Sequence, residues 1–370
     1  MPSSQATEAP RAARASAEKL PKIDFLRAVS AGIVVLYHYG VPGIPASFGV
    51  LTFFVISGFL ITHLLLREQE RTGNISLGRF YIRRSLRIFP AFYVYWLLVV
   101  ADAIYRHRLH AWLAPLICSF FYVNNYYQGL NHYPYSLVAH SWSLGVEEQF
   151  YLLWPGIFLL LRRRLIPLTR SLAIAIPCFW VMRAAMHFHG VDEAYINTAF
   201  ETRIDAILAG CLLALVLHTG VVAPLIARLR RPPAMFVVLA LLGLSLFKGA
   251  HYGIPYRNVI GFAVEPVLVA LLILQLTSLR GLTWMDARPL SYLGRISYST
   301  YLYQEIVIPA LKDRIPHPFN LIGCVLAVWI TAALSFELIE KPFLKLKRRF
   351  ETVHTDRLEP TLPRNFPVDA

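Results

Sequence analysis

Apolar residues recur along this chain in runs of roughly twenty, separated by short basic or polar connectors. A helix of about 20 residues is about 30 Å long, the thickness of a bilayer's hydrocarbon core. Such runs lie near residues 23–42, 48–66, 88–105, 140–161, 168–187, 199–218, 233–248, 258–277, 290–310 and 320–340. They predict an all-α, polytopic membrane protein with about ten transmembrane helices. A further apolar stretch at 111–123 runs into aromatic and polar sequence, FFYVNNYYQGLNHYPY. That composition suits a membrane interface, so 106–139 is expected to be a re-entrant or interfacial segment.

Charge placement orients the chain. If 111–123 does not span, one face of the membrane collects nearly every basic connector. These are the leading stretch with Arg11, Arg14, Lys19 and Lys22, the 67–87 loop, Arg162–Arg164, Arg228–Arg231, the 280–288 loop and Lys345–Arg349. Arg106 and Arg108 are exceptions, and if 111–123 spans, every later loop inverts. The expectation is therefore that both termini are cytoplasmic. Residues 1–19 and 346–370 read as polar tails, and 20–345 as the membrane domain, with no cleavable signal peptide and no second soluble domain.

Composition narrows the class. The chain is 56% hydrophobic and 16% charged, with mean hydropathy +0.50, which excludes an ordinary soluble domain. A net charge of +14 invites a nucleic-acid reading, but the basic residues sit in loops between spans, so no nucleic-acid partner is expected. Cys118, Cys178, Cys211 and Cys324 lie in apolar segments without metal-ligand spacing. Neither a metal nor a disulfide framework is expected.

Ionisable residues inside the spans are the candidate chemistry, because such groups are expensive in hydrocarbon. Arg27 and His38 are eleven positions apart, which returns them to within about 20° on one helix face and separates them by roughly 16 Å. Arg27 then lies near the inner face and His38 near the outer. SWSLGVEEQFYLLWP enters from outside and brings Glu147 and Glu148 to a depth similar to that of His38. A carboxylate beside an imidazole fixes its tautomer and stabilises its charged form, as a general base requires. AFETRIDAILAG adds Glu201, Arg203 and Asp205 near the outer face. RFYIRRSLRIFP puts Arg79, Arg83, Arg84 and Arg87 at an inner helix start, where guanidinium forks suit phosphate. Bland readings compete: positive-inside anchors, an Arg203–glutamate strut, and Ser57–Gly58 as a close-packing pair.

The motifs IDFLRAVSAGIVVLYH, FFVISGFLIT, RRSLRIFPAFY, SWSLGVEEQFYLLWP, RIDAILAG and LGRISYSTYLY occur in this order over about residues 22–345. In that sequence the chain resembles the integral-membrane acyltransferase-3 family, which acylates extracytoplasmic glycans and some small molecules. The resemblance assigns catalysis to His38, Glu147 and Glu148, and donor binding to Arg27, Ser57, Arg83, Arg84 and Arg87. The acceptor is expected near Arg203, Asp205, Tyr303 and Gln304. One departure stands out: many relatives carry a histidine shortly after the last Tyr-Leu, where this chain has Gln304, which cannot titrate.

The resemblance implies O-acyl transfer from cytoplasmic acyl-CoA, acetyl-CoA being the family's commonest donor, to a hydroxyl of an exported glycan such as lipopolysaccharide or capsule. Membrane lipid is the surrounding partner. The alternatives are acylation of a secreted small molecule such as a macrolide sugar, or a non-catalytic transporter of donor or glycan. Transporters often show internal repeats, and none is evident here.

Overall fold

The computed structural model describes residues 21–278 and 281–350. The expected tail at 1–19, Arg280 and most of the expected tail at 346–370 lie outside them. Among the described residues the fold is all-helical, without strands.

Fifteen α-helices follow in order. They are α1 (Pro21–Tyr39), α2 (Ala46–Thr72), α3 (Leu77–Tyr105), α4 (Leu109–Phe120), α5 (Asn124–Leu130), α6 (Trp142–Leu161), α7 (Leu165–Phe188) and α8 (Glu193–Thr198). Then come α9 (Phe200–Thr219), α10 (Ala223–Leu229), α11 (Pro232–Tyr256), α12 (Phe262–Ser278), α13 (Arg288–Leu311), α14 (Asn320–Ser335) and α15 (Lys341–Lys347). Every run singled out by hydropathy is a helix. Six helical stretches, or seven if one bent pair counts as a span, have the length and apolarity to cross a membrane, so the count of about ten is not reached. The reason is physical. Helix α1 carries Lys22, Asp24 and Arg27, and α13 carries Arg288, Arg295 and Glu305. Pro232–Ser278 registers as one stretch, although α11 breaks helical geometry at Gly253 (φ 65°) and packs back on α12.

The 106–139 segment forms two short helices. Twelve residues in α4 reach only about 18 Å, too short to span. Polar side chains dock the segment onto α6. Gln149 Nε2 donates to Tyr122 O at 3.0 Å and to Asn125 Oδ1 at 2.9 Å, while within the segment buried Asn124 donates to Val138 O at 2.9 Å.

Two close crossings hold the bundle. A Cβ on Gly58 would meet the Ile207 carbonyl, and a Cβ on Gly210 would meet the Val55 carbonyl, so these glycines seat α2 against α9 reciprocally. A Cβ on Gly294 would meet the Asp24 carbonyl. That contact brings α1 and α13 together at their N-terminal ends, while Lys312 reaches Tyr39 O at the other (2.6 Å). The two helices therefore run parallel. Small residues permit such approach where lipid supplies no hydrophobic drive between helices.

Candidate active site

A cavity of about 350 Å³ opens within the bundle, walled by α1, α2, α3, α6, α13 and the chain's last described turns. Arg27 enters it from α1, Ser57 from α2, Arg84 and Arg87 from α3, and Glu147 from α6. Four separate motifs thus converge on one space. Arg84 and Arg87 are three apart on α3 and share a face, which is why both reach it. The Arg84 guanidinium lies 3.6 Å from the Tyr151 ring centroid. Ser57 Oγ donates to Glu147 Oε1 at 2.5 Å. Six cations line the cavity (Arg27, Arg84, Arg87, Arg295, Lys347, Arg348) against three carboxyls (Asp24, Glu147, Glu340), so it suits a polyanion.

His38 lies farther along the face of α1 that carries Arg27, in the helix's last turn. Its expected partner was Glu147 or Glu148. The structure pairs it instead with Glu305 of α13, Nε2 to Oε1 at 3.0 Å. The reason is that α1 packs against α13, parallel to it. His38 and Glu305 each stand seventeen positions beyond the first residue of their helix, and so at one depth. His38 Nδ1 lies 3.1 Å from Val34 O, which can only accept, so Nδ1 is assigned the proton. Nε2 is then the basic nitrogen, and the Glu305 carboxyl beside it stabilises the imidazolium formed when it takes a proton.

The cavity and this pair are one helical turn apart. Tyr301 lines the cavity, and Glu305 is the next turn of α13. Buried His140 stands against Tyr301, ring centroids 5.3 Å apart, and neither of its ring nitrogens has a hydrogen-bond partner. Tyr301 also donates to the His140 carbonyl at 2.7 Å and touches Ser143 Oγ at 2.6 Å.

Other expected site residues fall elsewhere. Arg83 does not line the cavity: it pairs with Glu68 (2.8 Å) and donates to Phe350 O (3.0 Å). Glu148 is not in the lining either. Arg203 and Asp205, expected at the acceptor, are 2% exposed, with Asp205 held by Arg183 at 2.8 Å and Arg203 stacked 3.8 Å from the Phe262 ring centroid. They do not meet a glutamate from α6. Tyr303 packs edge-on against Tyr95 at 5.6 Å. Gln304 is fully buried, and neither atom of its amide has a partner.

Residues 20–339 match the sequence model of a family described as an acyltransferase domain, Acyl_transf_3. The chain belongs to the acyltransferase-3 family. It is 30% identical over 358 residues to peptidoglycan O-acetyltransferase OatA of Listeria monocytogenes, covering 90% of this chain and 57% of that protein. It is 28% identical over 362 residues to O-acetyltransferase OatA of Staphylococcus aureus, covering 88% and 57%. The chain thus spans a little over half the length of these relatives. No solved structure matches it.

Sequence reasoning missed Glu305, Tyr301 and His140, and with them the cations Arg295, Lys347 and Arg348. Glu305 had a usable signal, an acidic residue at the same helical depth as His38. Arg348 and Lys347 had none, because their position depends on how the chain turns after α14.

Proposed function

We propose that the protein is an integral-membrane O-acyltransferase that moves an acetyl group from cytoplasmic acetyl-CoA to a hydroxyl of a cell-envelope glycan on the opposite face. The observation that carries this reading is the convergence of Arg27, Arg84 and Arg87 on one cavity with His38–Glu305 one turn beyond its end. The names of the relatives, which are O-acetyltransferases and in one case act on peptidoglycan, point the same way. The reading includes all ten apolar helical runs as crossings of the bacterial inner membrane, with both termini cytoplasmic. The ionisable residues that lower the apolarity of α1, α9 and α13 are the ones the chemistry and the packing use.

In this reading the arginines hold the phosphates of the donor, and its acyl arm extends past Ser57 and Tyr301 toward His38. His38 Nε2 takes the proton of the attacking hydroxyl while Glu305 stabilises the imidazolium. The thioester C–S bond breaks, an ester C–O bond forms, and the proton passes to the departing thiolate. Glu147, held by Ser57 inside the cavity, shapes the donor path and does not contact His38.

The test is transfer of radiolabelled acetyl from acetyl-CoA to envelope glycan by native protein and by His38→Ala at equal expression. The expected result is an alkali-labile ester with native protein, reduced about 10²–10⁴-fold in the variant. Label unchanged by the substitution would remove His38 from the mechanism. Acetyl in a released small molecule, with none in glycan, would replace the acceptor.

A further inference from the structure

The cavity has a rim distinct from its interior. Arg27, Arg84 and Arg87 are half-buried within the bundle, whereas Arg295 and Arg348 are exposed and Lys347 is half-buried. Lys347 and Arg348 come from a segment after the last long helix. Helix α14 continues through a π-helical turn, Phe336–Glu340, into α15 and a final 3-10 turn, Arg348–Phe350. This segment crosses back over α3 as a strap.

The strap is latched. Arg83 donates from Nη1 to Phe350 O at 3.0 Å and pairs through Nη2 with Glu68 at 2.8 Å. Glu68 is 3% exposed and also accepts from Ser76 N at 3.1 Å, so the latch is anchored where α2 turns into α3. Leu344 and Lys347 stand three apart on α15 and both line the cavity, one face of the strap forming its wall.

We propose that the strap Lys341–Phe350 recognises the 3′-phosphate of the donor nucleotide, through Lys347 and Arg348 with Arg295 opposite, while Arg27, Arg84 and Arg87 take the diphosphate deeper in the cavity. This rests on the acyl-CoA reading above. The order follows from the covalent order of coenzyme A. Its acyl end must advance toward His38, so the phosphoadenosine end trails at the mouth. A phosphomonoester carries roughly −1.5 to −2 charges, and exposed cations bind such a group without the cost of burying it. The strap therefore selects coenzyme A thioesters over acyl carriers that lack the 3′-phosphate, and Arg83 serves by positioning the strap.

The experiment is calorimetric binding of coenzyme A and of 3′-dephospho-coenzyme A to the purified full chain in detergent. Native protein is expected to prefer coenzyme A by about tenfold or more, the scale of charge-assisted hydrogen bonds. In K347Q/R348Q that ratio falls close to one with dephospho-coenzyme A affinity unchanged, and K347R/R348K retains it. A ratio that survives K347Q/R348Q overturns the inference, as does equal weakening of both ligands. Equal binding of both ligands by native protein overturns it while leaving the donor reading intact. Binding of neither ligand by native protein removes the donor reading and the strap's role with it.

Discussion

Two groups of arginines sit within the helical bundle, and they meet opposite environments. Arg27, Arg84 and Arg87 border a cavity of about 350 Å³. Arg183 and Arg203, on α7 and α9, are almost completely buried and held by groups of the protein itself. Arg183 is fully buried and bonds Asp205 at 2.8 Å, the Thr202 carbonyl at 2.8 Å and the Asn258 carbonyl at 3.2 Å. Arg203 lies against the Phe262 ring. Both groups satisfy the rule that an ionisable residue inside a membrane marks something important. What separates them is what the guanidinium groups face. A guanidinium facing open volume can take a ligand, while one filled by a carboxylate, carbonyls and an aromatic face ties helices together. The RIDAILAG motif is accordingly a strut between α7, α9 and the turn before α12.

The sharpest way to break this contrast is Asp205→Ala. It strands the buried Arg183 charge and is expected to cost about 3–5 kcal/mol, seen as lost folded protein in detergent by size-exclusion and thermal melting. Near-native stability would mean the outer group is not a strut. Next in size is Glu305→Gln, which keeps the shape but removes the charge that stabilises imidazolium. Transfer should fall about 10²-fold at unchanged melting temperature, and a native rate would leave His38 without its partner. Arg87→Ala should raise the acetyl-CoA concentration needed for half-maximal transfer by about tenfold, with stability nearly unchanged. A stability loss matching that of Asp205→Ala would erase the distinction between the two groups. The smallest effect separates adjacent acids: Glu148→Gln should alter transfer by less than about threefold, whereas Glu147→Gln, inside the cavity, should alter it more. Equal losses would place Glu148 in the site.

Much of this was legible in one dimension. Hydropathy runs located the long helices, and helical periodicity put Arg27 and His38 on one face, as found. Depth placed Arg27 and Arg87 together at the inner face, but it put Glu147 with His38 near the outer face, whereas the structure brings Glu147 into the cavity with Arg27, Ser57, Arg84 and Arg87. Depth alone could not choose the partner of His38, because Glu147 and Glu305 satisfy it equally. The choice is made by the contact of Gly294 with the Asp24 backbone, which lays α13 along α1. Arg83 and Arg87, one turn apart, read as a phosphate-binding pair, yet the cavity faces positions 84 and 87 and leaves Arg83 to the strap. Asp205 was visible in its motif, but its partner Arg183 lies in no motif, so the buried ion pair between α7 and α9 was not legible. Helices α1 and α13 fall outside the six or seven stretches that composition alone marks as able to cross, because they carry the ionisable residues gathered at the site.

Sidedness of transfer distinguishes a donor site on the cytoplasmic face from one on the opposite face. Inside-out membrane vesicles carrying the protein and lumenal glycan acceptor would receive radiolabelled acetyl-CoA outside, against the cytoplasmic face. The account predicts acetyl ester on the lumenal glycan, absent with His38→Ala, and no transfer by sealed right-side-out vesicles until they are permeabilised. Transfer by intact right-side-out vesicles, with acetyl-CoA confined to the face opposite the arginine cavity, would contradict it.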